Sequence, residues 1–379
     1  MLNKLIKLII YTLNIPLYWI SYFIPKKKNL WIFGAWFGNK YTDNSKYLYE
    51  FIINNKKDIF PIWLTDKKEV FNHLKSINYP VSYKYSIYGY WFSARAEIII
   101  VSTGMKDVNR YVSTTKKKIM LWHGTPLKTY DIKPYFEGFK FKVNKIIFPF
   151  NISIYEKIIS TSEEVSKIYR QSFPNIKDVA ITGYPRNDRL GPDIDRFSKI
   201  VLYLPTHRGE GNGKVLKLFD TFDLEKINES FKRIGYVLKI KLHYYDLMML
   251  KFPDLSNINF IKDDSEVMEL MSETHILITD YSGAYFDFLL TQRPIVFAAF
   301  DIDDYVTNDR AFNYDYDEII CGPKCSNWNE VVDAVNQYIE CDDKYADKRK
   351  EMNYKFNECQ DFNFSENVYE MIKSLVVRK

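Results

Sequence analysis

Polar residues follow five short apolar runs of this sequence, at the points where buried strands would end. The five groups are His123-Gly124-Thr125-Pro126 after KIMLW, Gly183-Tyr184-Pro185-Arg186-Asn187-Asp188 after VAIT, Pro205-Thr206-His207-Arg208 after KIVLYL, His243 after YVLKIKL, and Asp280-Tyr281-Ser282-Gly283 after HILIT. Chance can place one polar group at a strand end, but five such groups indicate a lined cleft.

The side chains in these groups suit a pyrophosphate. Arg186 and Arg208 can each bind phosphate oxygens through paired hydrogen bonds, and a lysine of the YVLKIKL run can add a point charge. The Ser-Gly pair at 282–283 opens a predicted helix, whose free N–H groups and dipole favour an anion. The sequence has neither a Walker loop nor a G-x-G-x-x-G motif, so a nucleotide would bind as a donor substrate rather than as ATP.

Two of the five histidines stand at these strand ends. His123 and His243 carry the side chains that can exchange a proton near neutral pH. A single histidine near a strand end is nevertheless more often structural than catalytic. His73 lies in a predicted helix and His275 begins a strand, so we expect both to be structural, and the role of His207 stays open.

Other motifs give little support for a metal, a zinc site or a nucleic acid. The acids of FDIDDY, residues 300–305, imitate an Asp-x-Asp metal motif, but solvated turn acids are commoner and we predict no metal. The four cysteines lack the paired spacing that zinc requires, so free thiols are expected. A net charge of +5 is modest for 379 residues and forms no concentrated basic face, which argues against nucleic acid.

Apolar runs of four to six residues alternate with amphipathic stretches along most of the chain. This alternation predicts parallel strands covered by helices on both faces. The polar link GPDIDRFS, residues 191–198, separates two such series. We therefore predict an α/β protein with two doubly wound domains, residues 29–195 and 196–379, and a cleft between them.

Residues 1–28 differ from the rest of the chain. The stretch NKLIKLIIYTLNIPLYWISYFIP is strongly apolar and aromatic, and three lysines follow it. It has no cleavage site of the kind that ends a secretory signal, and Lys7, Asn14 and Pro16 interrupt a membrane span. We favour an anchor that lies in the membrane interface over a full span, with an ordinary core helix as a third alternative.

Taken together, these motifs resemble those of one known family. The segments LWHGTPLK, TSEEVSKIY, ITGYPRND, LYLPTHR, KIKLH, ITDYSGAYFDFLL and RPIVFAAFDIDDY, with the earlier block NSKYLYEFI, resemble the CDP-glycerol glycerophosphotransferase family over roughly residues 29–305. Members of that family are primases and polymerases of teichoic acid and related capsule polymers. The resemblance implies a GT-B-like pair of Rossmann-like domains, peripheral attachment to the cytoplasmic face of the cell membrane, and transfer from a CDP-activated polyol without a cofactor.

The resemblance also implies roles for individual residues. The two family histidines correspond to His123 and His243, with the acceptor on the side of the first domain and the CDP-polyol on the second. The residues that correspond to donor contacts are Trp122, Gly124, Thr125, Pro126, Arg186, Pro205, Thr206, Lys241, Ser282, Gly283 and Asp287, to which Arg208 is added for its charge. The chain departs from the family at His207, usually aromatic, at Tyr244, usually proline, and at Gly283, usually a second serine.

The hypothesis that follows is in-line attack of an acceptor hydroxyl on the distal phosphorus of a CDP-polyol, with CMP leaving. His123 would be the general base, while His243, Arg186 and the helix at Ser282 offset growing charge. We favour CDP-glycerol as donor and a membrane-linked glycan, teichoic acid or capsule chain as acceptor. The alternatives are a ribitol-phosphate transferase, a GT-B glycosyltransferase that uses a nucleotide sugar, and a nucleotide-binding assembly protein without activity. The acceptor, the number of units added and the oligomeric state, including a homo-oligomer, stay open.

Overall fold

The chain folds into two compact units, each built on its own sheet. The computed structural model describes residues 2–130, 132–191, 198–206, 222–242, 253–262, 265–308 and 311–377. The first unit comprises Met1–His123, Tyr130–Asp188 and Asn363–Lys379, and the second comprises Gly124–Thr129 and Arg189–Phe362. The sequence suggested a division at residue 195. In this grouping the second unit already begins at Arg189 and also includes Gly124–Thr129, whereas Asn363–Lys379 groups with the first unit.

The sheet of the first unit has seven described strands in the order β3-β2-β1-β4-β5-β6-β7, and every pair is parallel. Their bounds are β1 Lys27–Gly34, β2 Phe60–Thr65, β3 Val81–Tyr83, β4 Ala96–Val101, β5 Lys118–Met120, β6 Lys157–Ser160 and β7 Val179–Ile181. The strand order reverses between β1 and β4, and ligands of such sheets bind outside the carboxyl ends of strands at this point.

One helix precedes these strands and others connect them. Their bounds are α1 Leu2–Ser21, α2 Asp43–Asn55, α3 Lys68–Ser76, α4 Ile87–Arg95, α5 Gly138–Ile147 and α6 Glu163–Ser172. Ser86 and Ser162 cap α4 and α6, because each serine side chain accepts a hydrogen bond from a backbone N–H three residues later. Within the described residues, no helix has the length and apolar character that a membrane span needs.

The second unit repeats this architecture with six described strands in the order β10-β9-β8-β11-β12-β13. The strands are β8 Ile200–Leu204, β9 Val237–Ile240, β10 Ile258–Phe260, β11 Ile276–Thr279, β12 Ile295–Ala298 and β13 Lys324–Cys325. The helices are α7 Leu224–Ile234, α8 Val267–Glu273, α9 Ala284–Phe288, α10 Ile302–Asn308, α11 Tyr316–Ile319, α12 Trp328–Ile339, α13 Ala346–Phe356 and, after the second unit ends, α14 Phe364–Val377. Here the order reverses between β8 and β11, and the predicted α/β fold class is confirmed.

Helix α14 completes the core of the first unit. Its residues Val368 and Ile372 are fully buried in the same apolar cluster as Trp31 of β1. The ring of Tyr369 lies 5.8 Å from that of Trp31. At the start of α14, Phe364 packs so closely on Gly183 that a Cβ there would lie 2.1 Å from the phenylalanine ring. The first unit therefore depends on a helix that is distant from it in sequence.

Candidate functional site

His123 lies in a sharply turned loop after β5. The preceding Trp122 has a φ of 54° and the following Gly124 a φ of 136°, so both flanking residues have left-handed backbone. Glycine adopts such angles readily, but tryptophan does so only under strain that the surroundings must offset. The conformation at Trp122 therefore indicates a loop that is held in place by contacts outside it.

Two polar side chains hold this loop by its carbonyl groups. The side-chain amide of Asn44 donates to the carbonyl oxygens of Leu121, at 3.3 Å, and Trp122, at 3.0 Å. The guanidinium of Arg186 donates to the carbonyl oxygen of His123 at 2.9 Å. Three consecutive carbonyl groups are thus bound, by a residue of α2 and a residue of the turn after β7, and these bonds fix the direction of the His123 side chain.

The same guanidinium forms a buried ion pair with Asp43 at 2.9 Å. Asp43 begins α2 with a φ of 65°, and its neighbour Asn44 accepts a hydrogen bond from the backbone N–H of Arg186 at 3.3 Å. Arg186 was expected from the sequence to bind phosphate. The contacts with Asp43 and Asn44 also hold Arg186 against the backbone of His123. Arg186 can therefore position His123.

The surroundings of His123 favour a neutral imidazole. Burial lowers the pKa of His123 below its usual value, the charge of Asp43 opposes this shift, and the charge of Arg186 adds to it. Nδ1 is buried without a hydrogen-bond partner among the described residues. The ring lies beside that of Trp36, with 5.7 Å between centroids. An imidazole that stays neutral near pH 7 can accept a proton.

In the second unit, the structure brings together two of the predicted strand-end groups. The carboxylate of Asp280, after β11, accepts hydrogen bonds from the backbone N–H of Thr206 at 2.9 Å and from its hydroxyl at 2.6 Å. Thr206 follows Pro205 at the end of β8, so both groups lie where the strand order reverses. Asp280 is fully buried, and the hydroxyl of Tyr316 binds its carbonyl oxygen at 3.2 Å.

Residues 124–129 pack with this second unit. Asn313 donates to the carbonyl oxygens of Pro126, at 2.8 Å, and Lys128, at 2.9 Å, and Lys128 pairs with Phe312 in an antiparallel bridge. The backbone of Thr125 approaches Gly283 so closely that a Cβ at Gly283 would lie 2.6 Å from the Thr125 carbonyl oxygen. Gly283 stands where the resemblance predicts a second serine, and its lack of a side chain leaves room for the Thr125 backbone.

The helix that follows Ser282 is short: α9 ends at Phe288 and continues as one turn of 3-10 helix to Thr291. The Ser282 hydroxyl accepts a hydrogen bond from the Ala284 N–H at 3.2 Å. Asp287 of α9 is buried, and Lys241, at the end of β9, is half-buried.

Some predicted site residues cannot be placed. His243, Arg208 and His207 lie outside the described residues. Within the described ranges, no cluster of three or more His, Cys, Asp or Glu side chains has a geometry that could hold a metal ion. Asp301 of the FDIDDY motif accepts a hydrogen bond from the Tyr281 hydroxyl at 3.1 Å, and His275 pairs with Tyr236 at 2.9 Å.

The residues that the sequence interpretation missed are those that support the loop rather than those that could react. Asp43 and Asn44 begin α2 and do not follow an apolar run. Trp36 does follow the apolar run of β1, but it is not one of the polar residues that marked the expected groups. A signal existed for one of them, because Asn44 opens the block NSKYLYEFI that resembles the family.

Comparisons with known proteins identify the family that the sequence motifs resemble. Residues 17–374 match the model of the family described as CDP-glycerol:poly(glycerophosphate) glycerophosphotransferase. A teichoic acid glycerol-phosphate transferase of Staphylococcus aureus is 27% identical, over 91% of this chain and 93% of that protein. A teichoic acid poly(ribitol-phosphate) polymerase of Bacillus spizizenii is 29% identical, but over only 48% of this chain and 32% of that protein. The solved structure of the wall teichoic acid polymerase TagF has a TM-score of 0.72 at 23% identity, over 93% of this chain and 90% of that one, which confirms the predicted GT-B-like fold.

Proposed function

The chain belongs to the CDP-glycerol:poly(glycerophosphate) glycerophosphotransferase family and is a transferase, and we propose that it transfers glycerol phosphate from CDP-glycerol to a hydroxyl of a teichoic acid chain or membrane-linked glycan. The observation that carries this proposal beyond family membership is the His123 loop. A half-buried imidazole with a lowered pKa is held there by Asn44 and Arg186 on a strained backbone. Strain of this kind is typical of functional sites.

His123 is the general base in this proposal. The acceptor oxygen attacks the phosphorus that carries the glycerol, the bond from that phosphorus to the bridging oxygen breaks, and CMP leaves with the electron pair. The imidazole takes the proton of the attacking hydroxyl, which its lowered pKa favours because the ring is neutral before the reaction. The geometry of attack then depends on the loop contacts, since small displacements of a reacting group are costly.

Positive charge and hydrogen-bond donors would offset the charge that develops on the phosphoryl oxygens. Arg186 is a residue of this kind that contacts His123, and its ion pair with Asp43 fixes its position. His243 and Arg208 are assigned the same role by family resemblance and by charge respectively, and both assignments stay predictions.

By family resemblance, donor binding is assigned chiefly to residues of the second unit, together with Trp122 and Arg186 of the first, and acceptor binding is assigned to the first unit. The donor residues are Trp122, Gly124, Thr125, Pro126, Pro205, Thr206, Lys241, Ser282, Gly283 and Asp287, with Arg186 and Arg208 on the phosphates. Supporting this assignment, Thr206 lies where the strand order of the second sheet reverses, beside buried Asp280. Thr125 and Gly283 are likewise in close backbone contact.

Glycerol is favoured over ribitol because the match to the glycerol-phosphate transferase extends over 91% of the chain, against 48% for the ribitol-phosphate polymerase. The test is to offer the purified protein CDP-glycerol, CDP-ribitol or a UDP-sugar with a lipid-linked acceptor. We expect CMP from CDP-glycerol and an acceptor that grows in mass by glycerol phosphate units. Release of CMP from CDP-ribitol alone would assign the ribitol function instead. Release of UDP would assign a glycosyltransferase, and no turnover with any donor would favour an assembly protein.

We also propose that helix α1 attaches the protein peripherally to the cytoplasmic face of the cell membrane. One side of α1 packs on the first unit through Tyr18, which is buried with Tyr111 and Phe150. The other side exposes large apolar residues: Ile6, Leu8, Ile9, Ile10, Leu13, Leu17, Trp19 and Ile20. A helix with such a face lies in the plane of the membrane interface, where following lysines can meet anionic lipid.

A further inference from the structure

Two consecutive aromatic residues, Trp36 and Phe37, follow β1 with left-handed backbone, at φ values of 47° and 61°. Bulky residues rarely adopt this conformation, because it brings Cβ too close to the neighbouring carbonyl oxygen. The side chain of Phe37 is nevertheless 49% exposed, so packing of its ring in the core does not explain the strain. Backbone strain that is not offset by burial of the side chain calls for another cause.

Two buried charged side chains hold Phe37 in this conformation. The carboxylate of Asp107, which is fully buried, accepts a hydrogen bond from the Phe37 N–H at 2.7 Å. The ammonium of Lys84, only 3% exposed, donates to the Phe37 carbonyl oxygen at 2.8 Å. Both backbone groups of a solvent-exposed phenylalanine are therefore bound by charges that had to be removed from water, which gives the ring a fixed position on the surface.

The same two charges join the loops at the carboxyl edge of the first sheet. Asp107 also accepts hydrogen bonds from the backbone N–H groups of Ser102, at 2.9 Å, and Thr103, at 2.7 Å, directly after β4. Lys84, directly after β3, forms an ion pair with Asp66 at 2.6 Å, directly after β2. The loops that follow β1, β2, β3 and β4 are thus joined around Phe37, at the carboxyl ends of the strands, where His123 also lies.

Exposed cations lie over both rings. The Nζ atom of Lys40 is 5.7 Å from the ring centroid of Trp36, and that of Lys106 is 5.9 Å from the ring centroid of Phe37. Neither lysine forms an ion pair with any described residue. The ring of Trp36 also lies 5.7 Å from that of His123. We call Trp36, Phe37, Lys40 and Lys106 the aromatic platform.

We propose that the aromatic platform binds the acceptor chain, as a polyol phosphate or sugar phosphate whose next hydroxyl reaches His123. The C–H faces of a polyol or sugar pack well on aromatic rings, and the two lysines can bind the phosphodiester anions between units. This inference rests on the proposed role of His123 as the base, since the acceptor must extend away from the hydroxyl that loses its proton. The platform then determines which acceptors are used, while the donor is bound elsewhere.

The test measures binding of a soluble glycerol phosphate oligomer to the full-length protein by titration calorimetry. Phe37→Ala removes the ring and Lys106→Gln removes a cation, and we expect each to weaken oligomer binding about 10-fold. Binding by the wild type should also weaken at high salt, because exposed lysines are screened. Phe60→Ala is the matched control. Phe60 is 52% exposed, and the Nζ atom of Lys27 is 4.5 Å from its ring centroid. Phe60 is the first residue of β2, however, so it lies at the amino ends of the strands of the same sheet rather than at the carboxyl ends.

Turnover separates this inference from the proposed function. With CDP-glycerol as donor, Phe37→Ala and Lys106→Gln should raise KM for the oligomer about 10-fold and leave KM for CDP-glycerol within about 2-fold of the wild type. If the wild type releases no CMP, the proposed function fails, while the calorimetric comparison still decides the platform. The platform is excluded if the wild type does not bind the oligomer, or if Phe37→Ala and Lys106→Gln bind it as tightly as Phe60→Ala does.

Discussion

At the scale of single residues, the chemistry of His123 depends on groups that bind its backbone. Asn44 and Arg186 together bind the carbonyl oxygens of residues 121–123, and the strained φ of Trp122 is stable only with such support. Replacement of either supporting residue should therefore impair the reaction even though the imidazole remains. The distinction between a reacting and a positioning residue can be made by experiment.

Replacement of His123 should abolish most turnover. We expect His123→Ala to lower kcat by about 10²- to 10⁴-fold, because proton transfer from the acceptor hydroxyl loses its base. CMP release from CDP-glycerol, with thermal unfolding as a check on the fold, measures this. His73→Ala is the matched control, since His73 lies in α3 of the same unit and contacts Tyr41 rather than the loop. Turnover near the wild-type rate by a folded His123→Ala protein contradicts the assignment.

The pH dependence of turnover should report the shifted titration of His123. Burial lowers the pKa of His123, and the neutral ring is the base, so kcat/KM should be lost only as the pH falls below about 6.5. The nearby charge of Arg186 contributes to the lowered pKa. Arg186→Gln should therefore move the acid limb of the profile to higher pH, as well as lowering the rate.

A pH–rate profile of kcat/KM for both proteins measures this shift. Arg170→Gln serves as control, because Arg170 is an exposed residue of α6 whose ion pair is with Glu163. An acid limb at the same pH in Arg186→Gln and in the wild type would show that the titrating group is not beside Arg186.

At the scale of elements, helix α1 has two sides with different roles. Its packed side includes Tyr18, whereas Leu13 and Ile20 are exposed, at 67% and 56%. Leu13→Glu and Ile20→Glu together should release the protein from sedimenting vesicles that contain anionic lipid, because two charges oppose insertion of the apolar face. Tyr354→Glu, at an exposed aromatic residue of α13, should not. If the double variant still sediments with vesicles, attachment lies elsewhere in the molecule.

The elements that sequence predicted well are those whose apolar pattern is local. The general alternation of apolar runs and amphipathic stretches applies to β4, whose sequence is AEIIIV, and to α7, which Asp223 caps and Gly235 ends in left-handed backbone. Helices α10 and α11 were not expected, because they are short and depend on contacts such as that between the rings of Tyr281 and Tyr305. The pairing of Lys128 with Phe312 was also invisible, since it joins residues far apart in sequence.

For the candidate site, the sequence predicted the residues that could react but not the contacts that hold them. His123 and Arg186 were expected because reactive side chains at strand ends can be recognised by type. The contacts that hold them could not be predicted, since Asn44 and Asp43 approach the loop from a helix more than seventy positions earlier in the chain. The sequence did not predict that Lys84 and Asp107 are buried and bind the backbone of Phe37, because lysine and aspartate in loops are ordinarily solvated.

At the scale of the whole molecule, the stability of the first unit should depend on α14. Ile372 is fully buried in the core of that unit, so Ile372→Ala should destabilise it by about 2–5 kcal/mol. Hydrogen exchange is the suitable measurement, because two units need not unfold together. Amides of β1 should lose protection while those of β8 keep it. Glu370→Ala, at an exposed position of α14, is the control, and equal loss of protection in both sheets would contradict the assignment of α14 to the first unit.

The position of α14 in the chain also affects the order in which the protein can fold during synthesis. The ribosome completes the second unit at Phe362, before any residue of α14 has been made. Until Val368 and Ile372 emerge, the apolar surface around Trp31 lacks its partner. The unit that is translated first is therefore the last to finish its core, and during that interval it exposes an apolar surface on which chaperones can act.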